Sequence, residues 1–65
     1  MFTLKQARRY ADLTQVQMAE KLGISRSSYI WLEAHPERTT INQARAISEI
    51  TGIALDNIFF TAEST

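Results

Sequence analysis

Thr14-Gln15-Val16-Gln17-Met18-Ala19-Glu20-Lys21-Leu22-Gly23-Ile24-Ser25-Arg26-Ser27-Ser28 places two helix starts and one helix end within fifteen residues, and that spacing decides the fold. Thr14 followed by Gln17 fits the capping box, in which hydroxyl and amide each satisfy a backbone N–H that lacks an intrahelical partner. Gly23 stands where a helix begun at Gln15 needs a left-handed residue after its last turn, a conformation open to glycine without steric cost. Ser25 is the next cap, with Ile24 and Tyr29 set around it as an apolar staple. Only Gly23, Ile24 and Ser25 separate the predicted helices at 15–22 and 26–34. So short a connection suits a crossing at about 90–120° and not antiparallel packing. The axes then approach at Ala19, which is small. Met18, Leu22, Ile24, Tyr29 and Leu32 recur at helical spacing and are expected on the inner faces.

The same start signal occurs at Thr3-Leu4-Lys5-Gln6 and at Thr40-Ile41-Asn42-Gln43. Phe2 with Ala7 and Leu13 with Met18 supply further staples. Gly52 closes the last long helix, Pro36 stops the third, and Asp12 must take the left-handed position after the first. Helices are therefore predicted at 4–11, 15–22, 26–34 and 41–51. A short fifth is placed near 55–60, where Ala54 offers no cap. No alternating β-branched run flanks a turn pair, so strands are not expected. The reading is an all-α, compact five-helix bundle occupying 1–60, followed by a short polar tail at 61–65. Beyond the inner faces already named, Leu4, Ala7, Ile41, Ala44, Ile47, Ile50, Ile53, Leu55 and Ile58 are assigned to the core by spacing, with Ser48 and Thr51 diluting the fourth helix.

Composition narrows the function. A chain of 65 residues forms one domain, whose core leaves a net stability of about 3–5 kcal/mol and little room for a deep substrate pocket. There is no cysteine and only one histidine, which excludes a disulfide framework and a His/Cys zinc set; no metal or cofactor is expected. Ser25, Ser27, Ser28 and Ser48 have no positioned base, so nucleophilic catalysis has no support and the chain is read as a non-enzyme. No apolar run approaches bilayer length and the first residues lack a signal-peptide layout, so a soluble intracellular protein without membrane contact is expected. The net charge of zero conceals an asymmetry. Residues 1–32 carry Lys5, Arg8, Arg9, Lys21 and Arg26 against Asp12 and Glu20, or +3, and residues 33–65 carry the opposite −3.

The segment from Thr14 to Ser28 resembles the helix-turn-helix of the Cro and phage-repressor family of DNA-binding proteins, the XRE or lambda repressor-like group. Arg8, Glu33 and the ending Gly52-Ile53-Ala54-Leu55-Asp56-Asn57-Ile58-Phe59 also fall where that family has comparable residues, so the resemblance spans roughly 4–59. It implies a DNA-binding domain whose helix-turn-helix occupies 15–34 and whose third helix enters the major groove. It further implies a transcriptional regulator, Cro-like or repressor-like, that binds double-stranded DNA at a palindromic operator as a homodimer. Such a protein takes no small-molecule substrate and is cytoplasmic and nucleoid-associated in a bacterial or phage-infected cell.

Residue types support that role. The first residues of a recognition helix reach base edges, which in the major groove differ in donors, acceptors and methyl groups. Ser25, Arg26 and Ser27 hold those places; Arg26 can fork onto guanine O6 and N7, whereas Ser27 serves several bases. With Tyr29 and Leu32 turned inward, Ile30 and Trp31 face outward toward thymine methyls or sugar edges. Thr14, Gln15, Arg38, Thr39 and Thr40, with the N–H groups at their helix starts, are the phosphate candidates; Arg9 and Lys5 are weaker ones. The resemblance makes Gln15 a phosphate ligand that also braces the recognition helix, and makes Arg8 and Glu33 a partly buried structural ion pair. Phe59 and Phe60 are candidate dimer contacts across a small surface. His35 is read as an exposed loop residue without a ligand role. The family's Glu-Asn-Gly ending is replaced by Glu33-Ala34-His35-Pro36-Glu37-Arg38, which removes the glycine cap and adds an acidic residue to the loop. The rival reading keeps the fold and uses Trp31 and Ile30 as anchors for a protein partner, as in an interaction module or antitoxin-like chain. Salt dependence separates the two.

Overall fold

Three threonines open three of the helices by one device. In a computed structural model, which describes residues 1–58, Thr3, Thr14 and Thr40 each accept from the backbone N–H three residues on, and Gln6, Gln17 and Gln43 reach back to the cap N–H. These boxes start α1 (Leu4–Tyr10), α2 (Gln15–Leu22) and α4 (Ile41–Thr51). Ser25 starts α3 (Arg26–Ala34) through its hydroxyl alone. Gly23 at φ 72° and Gly52 at φ 74° end α2 and α4 in the left-handed conformation, and Asp12 takes φ 61° just beyond α1. Single 3-10 turns at Pro36–Arg38 and Leu55–Asn57 complete the described residues.

Four α-helices, not five, are present among the described residues. Residues 55–57 form one 3-10 turn with no side-chain cap, and Ile58 then extends. Ala54 supplies no hydroxyl to nucleate a longer helix, and the chain turns instead into a parallel bridge between Phe2 and Ile58. The Phe2 N–H donates to the Asn57 carbonyl at 2.8 Å. The remainder of the expected fifth helix, the dimer candidates Phe59 and Phe60, and the tail at 61–65 lie outside the described residues. No helix among the described residues is long and apolar enough to cross a membrane.

Two apolar clusters share one hinge. Leu4, Ala7, Leu32, Ile47, Ile53 and Ile58 form the first; Met18, Ala19 and Tyr29 form the second. Leu22 and Ile24, which flank Gly23, pack against both, so the turn between α2 and α3 is tied into the core from two sides. Two expected core residues lie outside it: Ile41 is 71% exposed and Leu55 42%. At about 100° per residue, Ile41 stands about 120° around α4 from the buried Ile47, whereas Thr51 stands only about 40° away and is buried. The Thr51 hydroxyl resolves its own burial by donating to the Ile47 carbonyl at 2.8 Å. Ser48 likewise donates to the Ile53 carbonyl at 2.6 Å, so these two polar residues fasten the end of α4 to the following chain.

Candidate nucleic-acid interface

The sequence of α3 divides its surface. Tyr29 is fully buried and Leu32 nearly so, whereas Arg26, Ser27, Ile30 and Trp31 are exposed. Arg26 with Ile30 and Ser27 with Trp31 are four apart, which aligns each pair along the helix surface. Arg26 forms no hydrogen bond or ion pair with the described residues, leaving its guanidinium available. Ser25 is more committed: its Oγ accepts from the Ser28 N–H at 3.1 Å and donates to Ser28 Oγ at 2.9 Å.

The opposite side of α3 is clamped. Arg8 Nε donates to Glu33 Oε2 at 2.7 Å, and its Nη1 donates to the Leu13 carbonyl at 2.9 Å. Gln15 Nε2 donates to the other carboxylate oxygen at 3.1 Å. The carboxylate therefore ties α3 to α1 and to the first residue of α2, while Arg8 also holds the turn that follows α1. Both charged side chains are at least nine-tenths covered, and the pair is the one salt bridge among the described residues. Hydrogen bonding to Glu33 raises the Arg8 guanidinium above its ordinary value, against the opposing effect of burial. For Glu33, burial pushes the carboxyl upward, but the hydrogen bonds from Arg8 and Gln15, with the Arg8 charge, outweigh it and hold the group below the usual carboxylate range. Burial, followed by the adjacent carboxylate, pushes the Tyr29 phenol well above its ordinary value. That hydroxyl lies close enough to feel both charges yet meets no partner with hydrogen-bond geometry among the described residues.

The phosphate candidates separate into two places. Thr14 and Gln15 lie at the start of α2, beside a shallow depression of about 390 Å³ lined by Arg8, Arg9, Asp12, Leu13 and Thr14. Arg38 and Thr40 lie across a groove of about 460 Å³ from Ser27, Ser28 and Trp31. Thr39 does not join them. Its Oγ1 is buried and its N–H donates to the Pro36 carbonyl at 3.1 Å, so neither group points to an incoming anion. Sequence reasoning gave Gln43 only its place in the α4 capping box and His35 only that of an exposed loop residue, whereas Gln43 also lines the groove and His35 stacks on Trp31. The i,i+4 spacing of Trp31 and His35 was the available signal for the second.

A short helix, a glycine turn and a second short helix with its outer face free define a helix-turn-helix domain. The Helix-turn-helix family model matches residues 4–58, and the chain belongs to that family, the XRE-type, lambda repressor-like helix-turn-helix proteins. The family is one of DNA-binding regulatory domains and is generally non-enzymatic. No curated protein and no solved structure matches the chain.

Proposed function

We propose that the chain is a sequence-specific regulator of transcription, Cro-like or repressor-like, that occupies a palindromic operator in double-stranded DNA through α3. The observation that carries this reading is the two-sidedness of α3. Its buried side is held by Tyr29, Leu32 and the Arg8–Glu33–Gln15 clamp, and its other side leaves Arg26, Ser27, Ile30 and Trp31 exposed among the described residues. Arg26 reads a guanine, Ser27 reads a neighbouring base with less discrimination, and Ile30 and Trp31 meet thymine methyls or sugars. Thr14, Gln15, Arg38 and Thr40 set the register on the phosphates. Ser25 contributes mainly as the cap that orients Arg26. One such helix covers few base pairs, so two protomers on half-sites about 34–36 Å apart supply the missing specificity.

Selection of bound duplexes from a random pool, followed by footprinting, tests the reading. The expected result is a two-fold symmetric motif. Arg26→Ala then relaxes preference at one base pair per half-site, at a cost of about 1–3 kcal/mol, while Gln15→Ala weakens all duplexes alike. An unchanged motif with Arg26→Ala overturns the base-reading assignment. Binding that enriches no duplex and is insensitive to salt favours the protein-partner reading of Trp31 and Ile30.

A further inference from the structure

Trp31 is the one large aromatic side chain on the exposed side of α3, nearly half exposed at 48% and lining the groove opposite Arg38 and Thr40. An indole in such a place is normally free to choose among rotamers, and ordering it on binding costs affinity. Here it is not free. The His35 imidazole lies on it with ring centroids 4.6 Å apart and planes inclined by 24°. His35 is in turn anchored at three points. Its Nδ1 is 3.1 Å from the Trp31 carbonyl; a carbonyl only accepts, so this nitrogen carries the proton. Its main-chain N–H donates to the carbonyls of Trp31 and Leu32 at 2.9 and 3.1 Å. Pro36 follows and restricts the His35 backbone, which sits at φ −132° and ψ 66°. The histidine thus closes α3 where a glycine cap is missing and covers one face of the indole four residues earlier, leaving the rest of the ring toward the groove.

Building on the proposed duplex binding, we propose that His35 is a positioning residue for DNA recognition: it holds Trp31 in the orientation that meets the sugar or thymine methyl seated in the groove. The imidazole itself touches no DNA. Ordering one large side chain in advance corresponds to about a two- to twelve-fold gain in affinity.

The test uses the full chain and a duplex enriched by the selection described above. His35→Ala is expected to weaken binding two- to twelve-fold and to lower the fluorescence anisotropy of Trp31, the single tryptophan of the chain, in the free protein. His35→Phe, which restores a flat ring over the indole, is expected to recover both readouts to within about two-fold. In a Trp31→Ala background, His35→Ala is expected to have no further effect on binding, since the cycle isolates the coupling between the two positions. Should His35→Ala not fold, His35→Gln retains a donor for the Trp31 carbonyl without the ring and is expected to show the same losses. Unchanged affinity, unchanged anisotropy, or an equal loss in the Trp31→Ala background overturns the positioning role while leaving duplex binding intact. A wild-type chain that binds no duplex overturns the DNA reading itself, and this role with it.

Discussion

Glu33 concentrates more of the architecture than any other residue, because one carboxylate receives donors from Arg8 and Gln15 while sitting beside the buried Tyr29 phenol. Deleting one partner of a covered ion pair strands the other, at about 3–5 kcal/mol. That loss is comparable with the whole stability expected of a chain this size, so Glu33→Ala is expected to be largely unfolded by circular dichroism at 37 °C. The pH dependence follows from the lowered carboxyl. A group held below its unfolded value contributes stability that is full above about pH 4.3 and is lost as pH falls through the lower folded value. Thermal melts of the wild type should therefore drop steeply on acidification, and those of Glu33→Gln should start lower and fall less. Superimposable acid limbs would show that the carboxylate contributes nothing. Tyr29 gives the opposite expectation. Its hydroxyl is buried without a partner among the described residues, so Tyr29→Phe removes an unsatisfied group and should leave the melting temperature unchanged or raise it, by up to about 1–3 kcal/mol of stability. A fall would reveal a hydrogen bond at that oxygen.

Among the elements, the turn between α2 and α3 has the least tolerance. Nothing lies within 4 Å of a Cβ built on Gly23, so the obstacle to a side chain there is the backbone at φ +72° and not crowding. Gly23→Ala is expected to cost about 1–2 kcal/mol in denaturant unfolding, and Gly23→Asn less, because asparagine tolerates the left-handed region. A costless Gly23→Ala would mean that the turn relaxes. Helix starts were the most legible part of the sequence: three Thr-x-x-Gln boxes and a serine cap locate α1 to α4 to within a residue, since capping chemistry is local. The end of the chain was less legible. Whether Leu55 begins a helix depends on the competing pairing of Ile58 with Phe2, more than fifty positions away, and no local pattern encodes that contact. Ile41 was misassigned for a related reason: its hydrophobicity suggests burial, but its angle around α4 is set by Ile47 and Thr51. At the site, which residues of α3 lie outside follows from helical period alone. The burial of the Thr39 hydroxyl does not, because it depends on the 3-10 turn that Pro36 begins.

For the molecule as a whole, the neutral total charge matters less than where the cations lie. Arg26 and Arg38 border the candidate interface, with Arg9 beside the start of α2. If one to three phosphates per protomer are neutralised by these groups, the logarithm of the binding constant should fall with the logarithm of salt with a slope of about −1 to −3 per protomer. Isothermal titration at several ionic strengths measures it, and a slope near zero would assign the exposed α3 surface to a protein partner.

The bridge between Phe2 and Ile58 has a topological consequence. Because Phe2 and Ile58 lie side by side, the first and last described residues are neighbours in space. A host protein could carry the domain as an insertion by opening a single surface loop. Joining the original ends and cutting instead near Asp12 would give a circular permutant with α2 leading and α1 last, and the Arg8–Glu33 clamp would then tie its last helix to its second.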